Sequence, residues 1–162
     1  MKKVVTVTLG SSKQDFEFKT EFLGQSFSVK RMGADDDTGK AWELMRRQQA
    51  TADAIGLGEI GDHYQVGLRT VVNKETQRLL HVVTRVPVTT GATLRRLLQV
   101  RAVRYVQKEL GHYFNNNLVL FLSGMRNYDM AVALSDYTKN LSFADALFQT
   151  GAPPLLTSLE QL

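Results

Sequence analysis

The stretch that most constrains the fold of this chain is Leu118-Val119-Leu120-Phe121-Leu122, an unbroken apolar run of strand length. Asn115-Asn116-Asn117 precedes it and Ser123-Gly124 ends it. Such a run reads as a strand buried on both faces, because helices flank both sides of a parallel sheet and leave neither face polar. Companion strands are expected at Val4–Leu9, Phe27–Met32, Asp53–Gly58 and Val86–Gly91, each ending in small or polar residues. Helices are expected over residues 39–50, 63–83, 92–114 and 128–137. In the first, Ala41, Leu44 and Met45 form the apolar stripe; in the third, Leu94, Leu97, Leu98, Ala102, Tyr105, Val106 and Leu110 do. Residues 15–24 read as a short helix, with Phe18 and Phe22 one turn apart and Gly24 as its end. Residues 142–148 close the pattern as a strand or a short helix.

Strands and helices in alternation mean βαβ units with right-handed crossovers. The expected architecture is a three-layer α/β/α sandwich with a mostly parallel sheet, Rossmann- or flavodoxin-like. It forms one domain over residues 1–150. Residues 151–162, from Gly151-Ala152-Pro153-Pro154 to an apolar Leu162, read as a linker or the start of a following element in a longer chain.

Composition narrows the function classes. The chain has 162 residues, 43% of them hydrophobic and 22% charged, which suits an ordered globular protein. It has no cysteine, so disulfides, zinc-thiolate sites and thiol nucleophiles are excluded. Residues 1–9 hold no signal-peptide core, and nothing approaches the ~20 apolar residues of a membrane helix. A cytoplasmic protein without membrane or nucleic-acid partners is the expectation. The net charge of +4 favours anionic small molecules slightly.

In an open parallel sheet, ligands bind beyond the carboxyl ends of the strands. Those ends carry Gly10-Ser11-Ser12, Gly33-Ala34-Asp35-Asp36, Gly58-Glu59, Thr89-Thr90-Gly91 and Ser123-Gly124. Glycine beside a hydroxyl or carboxylate permits close backbone approach and hydrogen bonding, although such loops also need glycines and caps for folding alone. Arg95, one turn into the third helix, adds a cation to the Thr89–Gly91 end. Gly56-Leu57-Gly58-Glu59-Ile60-Gly61 matches G-x-G-x-x-G, so Gly56, Gly58 and Gly61 are the residues to hold a dinucleotide pyrophosphate. Against this, Glu59 and Asp62 put negative charge where phosphate would lie, and no acidic residue ends the next strand. Asp35-Asp36-Asp37 reads as helix capping rather than a metal site, since adjacent aspartates point apart. Among the three histidines, His63 beside Asp62 is the candidate acid or base, with Asp35 as a second.

Several segments together resemble a known family. They are Val7-Thr8-Leu9-Gly10-Ser11-Ser12, Asp15-Phe16-Glu17-Phe18, Glu21-Phe22-Leu23-Gly24, Ala54-Ile55-Gly56-Leu57-Gly58, Val86–Gly91 and Phe121-Leu122-Ser123-Gly124. The chain resembles the N-terminal region of bacterial multidomain proteins classed as predicted amino-acid dehydrogenases or quinate/shikimate dehydrogenase-like. That resemblance implies an NAD(P) site in a separate downstream domain and no cofactor in this one. Three readings follow. The first is an accessory domain of such an oxidoreductase that binds a small anionic metabolite on the strand-end rim. The second is a stand-alone enzyme there, using His63 or Asp35. The third is a ligand-free module that forms a homodimer through an exposed helix. The absence of a paired catalytic constellation favours the first over the second.

Overall fold

The computed structural model describes residues 1–61, 63–66 and 69–162, and the side chains of all of these except Tyr64, Gln65, Val66 and Gln149. Its contacts divide the chain into two compact units, the first Met1–Asp62 with Val72–Ala92, the second His63–Val71 with Thr93–Leu162. The strand and helix alternation of the sequence predicts a single domain over residues 1–150 instead.

In unit 1, β1 (Lys2–Thr8) is the central strand. Val4 to Thr8 are all β-branched, which stiffens χ1 and suits a pleated surface. β1 pairs in parallel with β3 (Gln25–Gly33) on one side and β4 (Ala54–Gly58) on the other. β2 (Phe16–Phe22) runs antiparallel to β3. β7 (Val88–Thr89) is parallel to β4, so the order is β2-β3-β1-β4-β7. This is a five-stranded, mostly parallel sheet in a mixed α/β unit.

Residues 15–24 form a strand and turn rather than the expected helix. Leu23 and Gly24 have φ of 50° and 72°, the two left-handed residues of a tight hairpin turn, and Phe22 pairs with Gln25 across it. Alternation of Phe16, Phe18 and Phe22 thus outweighs the helical spacing of Phe18 and Phe22.

α1 (Thr38–Gln48) links β3 to β4, and α2 (Lys74–Val82) precedes β7. Ala41 and Met45 of α1 and Leu79 of α2 share one core with Val5, Val7, Ile55 and Leu57. Both helices therefore cover the face of the sheet that carries Val5 and Val7. Asp37 caps α1 by accepting from the Lys40 amide, and Asn73 caps α2 by accepting from the Glu75 and Thr76 amides. The single helix expected over 63–83 is instead β5 (His63–Val66), β6 (Arg69–Val72) and then α2. Thr70-Val71-Val72 favours strand, and the Asn73 cap sets the helix start. Residues 67 and 68 of that expected helix lie outside the described residues.

Unit 2 holds β5, most of β6, α3 (Ala92–Glu109) from Thr93 onward, β8 (Val119–Phe121), α4 (Tyr128–Ser135), β9 (Leu141–Phe143) and α5 (Asp145–Thr150). The Leu118–Leu122 run is not the heart of the large sheet. β8 pairs in parallel with β9 alone, as a two-stranded sheet. Phe121 points inward and stacks on Phe143 at 5.3 Å, whereas Leu118, Leu120 and Leu122 are exposed. Residues 142–148 contribute both alternatives, the end of β9 and then α5. α3 ends at Glu109, before residue 114, because Gly111 and His112 turn left-handed. Its inward residues are Val103 and Gln107, while Leu94, Leu97, Leu98, Tyr105 and Leu110 of the expected core face are exposed. Leu156, Leu159 and Leu162 of the expected linker pack against the unit 2 core, and Leu156 bridges to Phe143.

Met45 is fully buried at the junction of α1 with the sheet. Met45→Ala is expected to lower the stability of unit 1 by about 2–5 kcal/mol, the usual cost of a core cavity. Urea unfolding followed by Trp42, the chain's single tryptophan and a residue of α1, checks this.

Candidate functional site

The carboxyl ends of β1, β3 and β4 meet around one guanidinium. Arg31 stands in β3, paired across the sheet with Thr6 of β1. It is 8% exposed. Its Nη1 donates to the Ser11 carbonyl at 2.9 Å and to Asp15 Oδ1 at 3.2 Å, and its Nη2 donates to Glu59 Oε1 at 2.9 Å. A buried cation is tolerated only when its desolvation is offset by good partners, and here two carboxylates and a carbonyl supply them. The three acceptors come from the loop after β1, the start of β2 and the end of β4.

The surrounding loops are closely fitted. Asp15 Oδ1 also accepts from the Gly33 amide at 2.6 Å. The Ser12 amide donates to Asp35 Oδ1 at 2.7 Å, and Lys40 Nζ reaches Asp35 Oδ2 at 2.6 Å. Lys40, foremost, and then the Ser12 amide hold the Asp35 carboxyl well below the usual carboxylate range. The Asp35 amide donates to Gly10 O and the Asp36 amide to Leu9 O, tying β3's end to β1's. A Cβ on Gly10 would collide with the Glu59 carboxylate. One on Gly33 would lie 2.5 Å from the Ser11 carbonyl carbon and the Ser12 nitrogen. At Gly33 the obstacle is backbone, so only glycine fits there, whereas at Gly10 a side chain would have to displace the Glu59 carboxylate from Arg31.

Strain gathers at the same edge. Asp35, Asp36 and Glu59 have φ of 56°, 61° and 54°, a left-handed conformation uncommon outside glycine. Each such residue stores roughly 1–3 kcal/mol, and sites of this kind concentrate where a geometry is held for use. The carboxyl end of β4 bears Glu59, that of β3 bears Asp35 and Asp36, and β1 lies between the two strands. Among the described residues of this edge, Lys13 and Asp36 are charged side chains without an ion-pair partner.

The structure thus brings together Gly10, Ser11, Ser12, Asp35 and Glu59, all of which sequence reasoning named. It missed Arg31, Asp15 and Lys40. The available signal was Arg31 itself, an arginine inside an alternating strand two residues before a glycine, where a buried charge demands carboxylate partners.

The remaining expected residues are placed elsewhere or are already occupied. Gly56 and Gly58 lie within β4, opposite Thr6 and Thr8, and not in a loop after it. Gly61 is followed by the strand β5, and the next helix starts at Lys74. The amides of a helix N-terminus, which a dinucleotide fingerprint needs, are therefore absent from that motif. Thr89 Oγ1 accepts from the Gly91 amide and Thr90 Oγ1 from the Ala92 amide, so these hydroxyls brace their own loop. Arg95, Ser123, Gly124 and His63 belong to unit 2. Asp62, the expected neighbour of His63, lies outside the described residues. Ser123 Oγ and the Gly124 and Met125 amides all donate to the carboxylate of Asp145, which is 3% exposed. Those donors serve a buried carboxylate of the fold and are not presented to a ligand.

No helix of the described residues is long and apolar enough to cross a membrane. Residues 3–90 match a family model described as a domain of unknown function, DUF8753, and residues 93–162 match a second, DUF8754. The junction between the two matches coincides with the passage from unit 1 to unit 2 at Ala92 and Thr93. No curated protein matches the chain.

Two outcomes test this geometry. Gly33→Ala must push the Ser11–Ser12 backbone away, and we expect a loss of about 1–3 kcal/mol in urea unfolding, as for other overpacked sites. Lys40→Met removes the main cause of Asp35's low pKa, so Asp35 should titrate closer to its ordinary value of 3.8 in a carboxyl NMR titration. The sign follows from linkage: a depressed folded pKa stabilises above the unfolded value and fades as pH falls beneath it. The Lys40→Met protein should therefore lose less stability below about pH 4 than the parent.

Proposed function

The chain belongs to the DUF8753 family, and from the geometry of the unit that carries this match we propose that it is a small-molecule binding module. The ligand sits over the carboxyl ends of β1, β3 and β4. The observation that carries the proposal is the gathering of three left-handed non-glycine residues, Asp35, Asp36 and Glu59, around the loop after the central strand. Open α/β sheets place their ligands at this edge, and backbone strain is retained where a fixed geometry is used.

The charges refine the ligand class. Arg31 and Lys40 are already neutralised by Asp15, Glu59 and Asp35, so neither attracts a free anion strongly. Lys13 and Asp36 stand outside these ion pairs with opposite charges, as does Asp37, whose Oδ1 accepts from the Lys40 amide as the cap of α1. A small metabolite bearing both an acid and a basic nitrogen, as amino acids do, matches Lys13 and Asp36 better than the simple anion expected from the net charge. Its service in a multidomain dehydrogenase-like oxidoreductase, with NAD(P) bound in a further domain, belongs to the proposal through the sequence resemblance alone.

A stand-alone enzyme with Asp35 as acid or base is less well supported. A carboxyl held far below the usual range by Lys40 and Ser12 stays ionised near neutral pH and is a poor proton carrier.

Thermal unfolding of the full chain with separate amino acids, citrate, phosphate, simple amines, shikimate, quinate, NAD(H) and NADP(H) tests the reading. A ligand at a hundred times its Kd adds about 2.7 kcal/mol, a shift of several degrees. We expect an amino acid to produce it, and Asp36→Asn and Lys13→Gln each to reduce it. A shift with nucleotides alone, or with none of the compounds, contradicts the proposal.

A further inference from the structure

The positive charge of this protein resides on one helix. α3 holds Arg95, Arg96, Arg101, Arg104 and Lys108 against the single acid Glu109, so it carries five of the chain's 20 basic residues and one of its 16 acidic residues. The rest of the sequence, with 15 of each sign, is neutral.

The same helix is apolar on two sides. Val103 and Gln107 face the core of unit 2. Leu94, Leu98 and Tyr105 recur after four and eleven residues, which places them together on the opposite side. They are 61%, 54% and 65% exposed. Beside this stripe, between α3 and the start of α4, runs a groove of about 390 Å³. Leu97 and Val100 form its floor, and Arg96, Arg101, Arg104 and Asp129 its walls. Arg96 is tied to Asp129 by two hydrogen bonds, at 2.7 and 3.0 Å. Arg101 and Arg104 have no hydrogen-bond or ion-pair partner among the described residues.

We propose that the outer face of α3 with this groove is a docking surface for an acidic amphipathic helix of a partner protein. Apolar side chains of the partner occupy the floor formed by Leu97 and Val100, and its carboxylates pair with Arg101 and Arg104. Charge complementarity selects the partner. Two copies of this cationic face repel each other, which disfavours self-association through α3. A concave groove with an apolar floor fits the ridge of a helix, the recurring helix-in-groove mode, better than a flat bilayer. The exposed leucines disfavour a nucleic-acid backbone, which offers no apolar surface to cover them.

A random library of 16-residue peptides displayed on phage, selected against the full chain at low salt, tests this. Enriched sequences should combine Asp or Glu with Leu, Ile or Phe at helical spacing. Synthetic copies should bind in fluorescence anisotropy and weaken as salt is raised. The double variant Arg101→Glu, Arg104→Glu should reduce their affinity about tenfold or more. Leu97→Ser should reduce it separately, and unchanged circular dichroism melting shows that both variants fold. No enrichment, enrichment without acidic residues, or binding insensitive to the double variant overturns the proposal. Sedimentation with phosphatidylserine-containing vesicles, abolished by the double variant, would assign the face to a lipid surface and overturn it equally. Concentration-dependent dimerisation lost in the same variant would assign it to a second copy and would also overturn it.

Discussion

A guanidinium withdrawn from water at the end of a strand is the constraint on which the larger sheet of this protein depends. Arg31 cannot be buried alone. Its partners must arrive from three separate segments, and they do so as the Ser11 carbonyl, Asp15 and Glu59. Each partner then fixes its surroundings. Glu59 fills the space that Gly10 leaves open, and Asp15 takes the amide of Gly33. The left-handed turns at Asp35, Asp36 and Glu59 follow as the backbone paths that let these loops converge. Local strain there is offset by the ion pairs and hydrogen bonds of the cluster. On the proposed reading, a rim tied together in this way is organised before a ligand arrives, which lowers the entropic cost of binding.

Unit 2 solves a similar problem differently. Asp145 is a buried carboxylate with no ion-pair partner among the described residues, satisfied instead by one hydroxyl and two backbone amides. Gly124 belongs to that arrangement, since a Cβ there would lie 2.7 Å from a Leu162 methyl and closer still to Phe143. The Ser-Gly pair after β8 has a structural occupation, although its composition alone resembled a ligand loop. Its sheet of strands β8 and β9 is small, and the exposed side of β8 and the outer face of α3 are among the places where apolar side chains remain uncovered.

Much of unit 1 was legible in the sequence because its signals are local. A β-branched run marks β1, the Ala41, Leu44 and Met45 spacing marks α1, and the glycine-hydroxyl clusters mark the strand ends. What could not be read depends on distance in the chain. Nothing near Arg31 announces that Asp15 and Glu59 will meet it, since the pairs span 16 and 28 residues. The Leu118–Leu122 run misled for a related reason: apolarity shows that a strand forms, not how many neighbours it finds. The G-x-G-x-x-G spacing carries no backbone direction, and its first two glycines lie inside a strand. The helical reading of α3 was sound as to secondary structure, but its Leu94, Leu97 and Leu98 face solvent, a choice only tertiary packing makes.

The most direct test of the central claim is a double-mutant cycle between Arg31→Met and Glu59→Gln, with urea unfolding of the four proteins followed by Trp42 fluorescence. If the guanidinium joins the end of β4 to the rest of the rim, the two substitutions are coupled by about 1 kcal/mol or more. A coupling indistinguishable from zero would mean that the strand ends are held by their glycines and backbone turns alone, and would contradict the account.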